Sequence, residues 1–159
     1  MNELAKRKII RLKDFDYSSS NMYYITICTE DRRKLLGKIH ENSNAHMILA
    51  PYGQIVKKHI DQIENYYNVT VSKYIIMPNH IHLLILVEAK SGELPRQTMM
   101  IPKMIAAFKK FTSKEIGFNL WQKSYYDHII RNETDYREIW EYIDENPAKW
   151  ALDEYNVQD

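Results

Sequence analysis

The sequence predicts an α+β domain with the ferredoxin-like split βαββαβ arrangement, in which an antiparallel sheet carries helices on one face and a further helix follows at the carboxyl end. Three observations support this prediction. Aromatic and β-branched residues are concentrated in segments of strand length, apolar residues recur at helical spacing in three other segments, and a short turn joins two of the strand segments. The chain of 159 residues is long enough to bury the core of one such domain.

The chain begins with a basic, polar segment and then enters the first strand. We interpret residues 1–20 as a basic arm and residues 21–159 as one domain. Aromatic and β-branched residues dominate positions 23–29, which we predict to be the first central strand. Two short partner strands are expected at 35–39 and 46–49.

A first helix and a strand pair follow. The helix is predicted to begin at Pro51, because proline suits the first helical turn, and to end near Tyr67. Its apolar side consists of Val56, Ile60 and Ile63. Strands are then expected at 69–77 and 80–87. Because the turn between them is so short, the two strands must pair antiparallel.

The second helix and the fourth strand complete the predicted sheet layer. After a loop at 89–95, we expect a helix from about Pro102 to Glu115. Its apolar side is predicted to consist of Met104, Ile105, Phe108 and Phe111. Residues 124–131 alternate enough between polar and apolar types to form the fourth strand.

The last helix is predicted to begin at a cap within residues 132–134 and to end near Asn146, because Pro147 disfavours helical geometry before it. Its apolar stripe consists of Tyr136, Ile139, Trp140 and Ile143. Tyr142 and Asn146 are four residues apart and lie on the flank of that stripe. This helix therefore offers a phenolic hydroxyl and an amide to the same neighbourhood.

Composition limits the classes of function. The net charge of +1 gives no overall basic field, although basic residues are concentrated near the amino end. The lone Cys28 excludes an intramolecular disulfide and fits a reducing compartment. No signal peptide and no apolar stretch of membrane-spanning length is found in the sequence, so we expect a cytoplasmic protein without a membrane partner.

The most informative motif is His80-Ile81-His82 at the start of a predicted strand. Alternate side chains of a strand share a face, so the two imidazoles lie side by side. Such a pair can bind one divalent ion and leave positions for a further ligand and a substrate oxygen. The alternative is two polar residues on the solvent face of a half-buried strand.

Tyr142 and Asn146 complement the histidine pair. An amide oxygen suits Mg²⁺ or Mn²⁺ as a third ligand, which would come from Asn146. A tyrosine beside a metal-bound phosphate can act as a nucleophile, because the metal stabilises charge on the phosphoryl oxygens. The alternative is a tyrosine at the boundary of the core and an asparagine that ends a helix.

Other residues compete for these roles. Tyr125 and Tyr126 are rival nucleophiles near His128, but neighbours on a strand point to opposite faces, so at most one of them faces the site. His128 is either a residue that orients a ligand or an ordinary strand histidine, and we favour the second interpretation slightly.

Three blocks of sequence together resemble a known family. They are the segment around Met77-Pro78-Asn79-His80-Ile81-His82, the segment Trp121-Gln122-Lys123-Ser124-Tyr125-Tyr126-Asp127-His128, and the segment Glu141-Tyr142-Ile143-Asp144-Glu145-Asn146-Pro147. In this order they are similar to the single-tyrosine HUH transposases, and most similar to the REP-associated tyrosine transposases among them. The resemblance extends from about Tyr23 to Trp150.

The resemblance implies an enzyme that cuts and rejoins single-stranded DNA near hairpins, using one tyrosine and a divalent metal, Mg²⁺ or Mn²⁺. By position, it implies that His80 and His82 bind the metal with Asn146 as third ligand, and that Tyr142 becomes joined to a DNA 5′-phosphate. The insertion-sequence branch has glutamine in place of Asn146, which favours the REP-associated branch. That other branch acts as a dimer that exchanges the tyrosine helix, and both a monomer and a homodimer remain open here.

Candidate DNA-binding residues are mostly basic. Phosphate contacts from lysine and arginine give salt-dependent affinity that is largely independent of sequence, and aromatic rings stack on unpaired bases. The candidates are Arg32, Arg33, Lys103, Lys109, Lys110 and Lys114, with Trp121 as a stacking residue. The alternative for each lysine is an ordinary solvated helix face.

Two other functions remain open at this stage. A non-catalytic single-stranded nucleic-acid-binding module of ferredoxin-like fold would need exposed aromatic residues on the central strands, such as Tyr23 or Tyr24. A metal-dependent nuclease that uses water would leave Tyr142 with a structural role. Substitution of Tyr142 by phenylalanine separates the water-dependent reaction from the tyrosine-dependent one.

Overall fold

The computed structural model describes residues 21–87 and 94–157, and within the second range it describes side chains from residue 100 onward. The basic arm expected at 1–20 and most of the loop expected at 89–95 lie outside the described residues. No helix of the described part is both long enough and apolar enough to cross a bilayer.

The core of the fold is a four-stranded antiparallel sheet. Its strands and the neighbouring hairpin are β1 (Met22–Cys28), β2 (Gly37–His40), β3 (His46–Leu49), β4 (Val69–Met77), β5 (His80–Val87) and β6 (Tyr126–Ile129). The sheet has the strand order β4-β5-β1-β6, and β2 and β3 form a separate pair. Every neighbouring pair in the sheet is antiparallel. The predicted α+β class with a split βαββαβ sheet is confirmed.

Three helices cover the two faces of this sheet. They are α1 (Pro51–Tyr66), α2 (Leu94–Ile116) and α3 (Glu133–Glu145). One face contributes Ile25, Ile27, Ile81, Leu83 and Ile85 to a large core that includes residues of α1 and α2. The opposite face packs Tyr24 and Leu84 into a smaller core with Tyr136, Trp140 and Ile143 of α3. Two helices therefore share one face, as predicted, and the tyrosine-bearing helix lies on the other.

The second helix differs from its prediction at its amino end. It begins at Leu94 rather than near Pro102, and Pro102 lies inside it. A proline within a helix loses one backbone hydrogen bond. The adjacent Ile101 and Met104 are each 1% exposed, so their burial helps to offset that loss. The fourth strand is also shorter than expected, because only Tyr126–Ile129 pairs with β1.

The last helix begins and ends close to the predicted residues. Asn132 caps it, since its side-chain oxygen accepts from the Asp135 amide at 2.8 Å. Lys73 of β4 forms an ion pair with Asp144 at 2.5 Å and lies 4.1 Å from the centre of the Trp140 ring. On the other side, His128 of β6 contacts Asp135 at 2.7 Å. Contacts to both edge strands thus position α3 across the sheet.

Candidate active site

His80 and His82 lie side by side on the face of β5 that α3 covers. Both side chains are 0% exposed, and their Nε2 atoms face each other at 3.1 Å. In the sheet His82 is paired with Thr26 of β1, and Ile81 between the histidines points into the opposite core. The predicted alternation is therefore confirmed, but the pair is buried beneath α3 rather than open to solvent.

The orientation of His80 is fixed by the residue before it. Asn79 donates from Nδ2 to the carbonyl oxygens of Arg32 at 3.1 Å and Tyr155 at 2.6 Å. Its Oδ1 is therefore the atom that accepts, at 2.8 Å, from Nδ1 of His80. With the proton on Nδ1, Nε2 of His80 presents its lone pair toward His82. This is the arrangement in which an imidazole can act as a metal ligand.

His82 is held by two hydroxyls. The Tyr24 hydroxyl lies 2.9 Å from its Nδ1 and the Thr26 hydroxyl lies 2.8 Å from the same atom. A hydroxyl can donate or accept, so these partners satisfy Nδ1 in either protonation state. His82 can therefore carry its proton on Nδ1 and leave Nε2 available as a ligand. Neither hydroxyl was assigned this role from the sequence.

Burial keeps both imidazoles neutral. It lowers the pKa of His80 to about 3, an effect that the Asn146 side chain partly opposes and the charge of Arg32 reinforces. Burial also lowers the pKa of His82 well below its usual value, and the neighbouring His80 adds to this effect. Metal ions bind the neutral imidazole, so both rings are in the required form across the physiological range.

Asn146 brings a third donor atom to the pair. It is 2% exposed, and its Oδ1 is buried without a hydrogen-bond partner among the described residues. Burying such an atom unpaired is costly, which makes it a natural position for a ligand. The described residues contain no group of three His, Cys, Asp or Glu that could hold a metal. Two neutral imidazoles and one amide oxygen are nevertheless donor atoms that a divalent metal ion accepts.

Tyr142 lies beside the histidines on the exposed side of α3. Its ring centre is 5.5 Å from that of His82, and 39% of the residue is exposed. Partial burial raises the pKa of Tyr142, as does the charge of Asp153 and then that of Glu154, whereas Asn146 lowers it. The phenol is thus a weaker acid than free tyrosine and needs assistance to ionise at neutral pH.

The segment after α3 lies over the histidines. The Tyr155 ring is 4.5 Å from the His80 ring, and the Trp150 ring is 6.0 Å from it. Arg32 lies over Tyr155 at 5.5 Å, which ties this segment to the turn after β1. Sequence reasoning missed Asn79, Thr26 and Tyr155. Asn79 was part of the motif, but only the fold shows which atoms it contacts.

The rival tyrosines at the start of β6 lie on different sides of the sheet. Tyr125 packs against the large core and has the Lys109 ammonium 5.6 Å from its ring centre. Tyr126 is on the same face as Thr26, with which it is paired, and is 55% exposed. The prediction that at most one of them faces the site agrees with this arrangement.

Five of the proposed DNA-binding residues have exposed side chains, and two have other roles. The exposed residues are Arg32, Arg33, Lys103, Lys110 and Lys114. The Lys109 ammonium instead donates to the carbonyl oxygens of Gln122, Lys123 and Ser124 at 2.8, 3.3 and 3.1 Å. Trp121 is 2% exposed and donates from Nε1 to Thr112 at 2.7 Å, so its ring is not accessible for stacking on a base. We therefore withdraw Lys109 and Trp121 as DNA contacts.

Comparison with known proteins assigns the class. Residues 17–146 match the model of the family described as Transposase IS200 like, which defines the protein as a transposase. The matched region includes the four strands of the sheet, the paired histidines and α3. The chain belongs to the IS200-like transposase family.

Individual relatives agree with this assignment. An uncharacterized Haemophilus influenzae protein is 34% identical over 95% of this chain and 93% of its own length. A second Haemophilus influenzae protein, named a candidate REP-associated tyrosine transposase, is 28% identical over 84% of this chain and 74% of that protein. A solved structure of a REP-associated tyrosine transposase bound to a REP hairpin matches with a TM-score of 0.58 and 18% identity, over 91% of this chain and 76% of that one. The structural match supports the fold.

Proposed function

We propose that this transposase cleaves and rejoins single-stranded DNA at hairpin-associated sites through a covalent 5′-phosphotyrosine at Tyr142. The observation that carries the proposal is the convergence of four side chains from two elements. His80 and His82 of β5 lie under Tyr142 and Asn146 of α3, and the amide oxygen of Asn146 is buried without a described partner. A packing role alone does not account for a buried polar cluster of this composition.

His80, His82 and Asn146 would hold the divalent metal, Mg²⁺ or Mn²⁺. When bound, such an ion stabilises negative charge on the oxygens of a phosphate under attack. The chain's own contribution is to fix the donor atoms in advance. Asn79 holds His80, and the hydroxyls of Tyr24 and Thr26 hold His82, so the ligands need little reorganisation.

Tyr142 would supply the nucleophile. Its phenolic oxygen forms a bond to phosphorus as the bond to the 3′-oxygen breaks, and the leaving oxygen takes up a proton while the phenol loses one. The phosphodiester is thereby conserved as a phosphotyrosine link. Attack by a DNA 3′-hydroxyl on that link reverses the exchange, releases the phenol and joins the strands without an external energy source.

Contacts to the DNA backbone would come from the exposed cations. Arg32 lies at the site itself, beside Tyr155, whereas Lys103, Lys110 and Lys114 lie on α2. The hairpin preference is inferred from the solved relative, whose structure contains a REP hairpin. These contacts would make binding fall steeply with ionic strength.

The non-catalytic alternative is less well supported. It requires exposed aromatic residues on the central strands, yet Tyr23 and Tyr24 are 8% and 9% exposed. Tyr24 is also committed to His82 through its hydroxyl. A nuclease that uses water remains the chemical competitor, because it would use the same metal ligands.

One experiment separates these alternatives. The protein is incubated with Mn²⁺ and a 5′-labelled and a 3′-labelled hairpin with single-stranded flanks, and the products are resolved by denaturing electrophoresis. We expect a covalent protein–DNA band with the wild type, and no band with Tyr142→Phe or His80→Ala. Tyr126→Phe is the matched control and should retain the band. Cleavage without an adduct that survives Tyr142→Phe would show that water is the nucleophile.

A further inference from the structure

An open cavity of about 610 Å³ lies next to Tyr142, on the side of β6. Tyr24, Thr26, Tyr126, Glu138, Ile139 and Tyr142 contribute to its walls. The sheet register relates this cavity to the histidines, because Thr26 is paired with His82 on one side and with Tyr126 on the other. Tyr126 is thus two strands from His82, a separation of about 10 Å.

We propose that this cavity is a nucleobase-binding subsite, in which one unpaired base beside the scissile phosphate stacks on Tyr126 and donates its exocyclic amino group to Glu138. The inference rests on the proposed function, since it assumes a single DNA strand at Tyr142. It assigns to Tyr126 a role in positioning the strand rather than in the reaction. The subsite would also make the enzyme discriminate among bases. The sheet and the proposed metal ligands alone give no such discrimination.

The charge of the cavity favours a base over a phosphate. Its walls include two carboxylates, Glu138 and Glu154, and no lysine or arginine of the described chain. A backbone phosphate there would be repelled, whereas a neutral base with an amino group would not. A second cavity beside Tyr142 is lined by Lys149 together with Asp153 and Glu154, and Lys149 forms an ion pair with Glu145. The preference for a base over a phosphate therefore follows from the first cavity alone.

Tyr126 has the exposure and the support that a stacking residue needs. It is 55% exposed, which is a large apolar area to leave in water. Its ring lies 6.2 Å from the Tyr24 ring at 73°, an edge contact that holds it while leaving surface free. Because β6 is an edge strand of the sheet, an extended DNA strand can approach from that side. Stacking on an aromatic ring stabilises any of the four bases, because each of them has a π-face.

Glu138 supplies the selective contact. It precedes Tyr142 by four residues on α3, so both side chains are on the same side of the helix. A carboxylate accepts from the N4 amino group of cytosine but is repelled by the O4 carbonyl of thymine at the same ring position. We therefore expect cytosine to bind better than thymine in this subsite.

The test measures binding separately from cleavage. All variants are made in a Tyr142→Phe background, and the affinity for short oligo-dC and oligo-dT is measured by fluorescence anisotropy. Tyr126→Ala should weaken oligo-dC binding about ten-fold, and Tyr126→Phe should restore it. Tyr66→Ala, which removes another exposed tyrosine at the end of α1, distant in sequence from Tyr126, is the matched control and should have no effect.

Glu138→Gln should lower the dC/dT affinity ratio about five-fold. The ratio excludes general charge effects, because the two strands have identical backbones.

A second readout reports stacking directly rather than affinity, and circular dichroism first confirms that each variant is folded. An oligo-dC strand that contains one 2-aminopurine should lose fluorescence when it binds the Tyr142→Phe protein, and the loss should be absent with Tyr126→Leu. If the affinities, the dC/dT ratio and the fluorescence are all independent of Tyr126 and Glu138 while the wild type still forms its adduct, the subsite is refuted and the proposed function stands. If no adduct forms with any metal but the dependence on Tyr126 is observed, the proposed function fails and the base-binding subsite survives.

Discussion

The two faces of the central sheet are built from alternate residues of the same strands, yet they bury different chemistry. Toward α1 and α2, β5 presents Ile81, Leu83 and Ile85, which are at most 1% exposed and pack into a large apolar core. Toward α3, the same strand presents His80 and His82, both 0% exposed and hydrogen-bonded to polar partners. A shift of one residue along the strand thus changes the surroundings from apolar core to polar site.

The face toward α1 and α2 therefore contributes mainly to stability, whereas the face toward α3 contains the polar groups of the candidate site. Burial of apolar area on the α1–α2 side stabilises the domain, at roughly 25 cal/mol per Å². Burial of polar atoms on the α3 side costs free energy unless each atom is paired. The histidine pair therefore has to be supported by apolar packing, both from the large core and from the smaller core of Leu84, Tyr136, Trp140 and Ile143 on its own face. Substitutions on the two faces should have opposite signatures in stability and activity.

The largest expected contrast lies between neighbours on β5. Ile81→Ala should lower the free energy of unfolding by about 2–5 kcal/mol, because it leaves a cavity in the large core. The variant should still form the covalent adduct at low temperature, where it remains folded. His80→Ala should abolish the adduct. Denaturant unfolding and the labelled-hairpin assay measure the two effects, and loss of the adduct in folded Ile81→Ala would break the separation by face.

Metal binding should act only through the polar face. A divalent ion that binds the folded state at a free concentration of 100 times its Kd raises the free energy of unfolding by about 2.7 kcal/mol. We expect Mn²⁺ to raise the midpoint of thermal unfolding of the wild type and of Ile81→Val. It should have no effect on His82→Ala. An equal rise in all three proteins would place the metal elsewhere.

Asn146 allows a direct test of whether the protein keeps a destabilising buried polar atom because the site needs it. Its Oδ1 is buried without a described hydrogen-bond partner, and its Nδ2 donates to the Tyr142 carbonyl oxygen at 3.5 Å. Asn146→Leu removes the unpaired oxygen and keeps the branching of the side chain, so we expect the free energy of unfolding to rise by about 1 kcal/mol. The same variant should lose its thermal response to Mn²⁺ and most of its cleavage. A destabilised variant would show that the amide is part of the packing.

Much of the fold followed from local pattern. Alternation in β1 and β5, helical spacing in α1 and α3, and the short turn at Pro78 were sufficient to predict the sheet, and the histidines and Tyr142 lie where the motifs indicated. The supports of the site were not predictable, because Thr26 and Asn79 act through partners distant in sequence. Tyr155 is more distant still, and only the return of the chain after α3 brings it to His80.

The helix α2 shows why periodicity misplaced several residues. Helical spacing predicts that Phe111 follows Phe108 on the buried side, but Phe111 is 52% exposed and Thr112 is 0% exposed. Thr112 is inside because its hydroxyl accepts from Nε1 of Trp121 at 2.7 Å. That contact also explains why Trp121 is buried instead of available to DNA. A polar pair between a helix and a loop outweighed the apolar spacing, which single-sequence reasoning does not detect.

The smallest change in stability is expected at Phe111, at the edge of the large core. Phe111→Ala should change the free energy of unfolding by no more than about 0.5 kcal/mol, because half of the side chain is already in water. Phe108→Ala, one helical turn earlier and 6% exposed, is the matched control and should cost about 3–5 kcal/mol. Denaturant unfolding of both variants checks this. A cost for Phe111 near that of Phe108 would mean that another surface covers it in solution, and the large core would then extend beyond the helix pair.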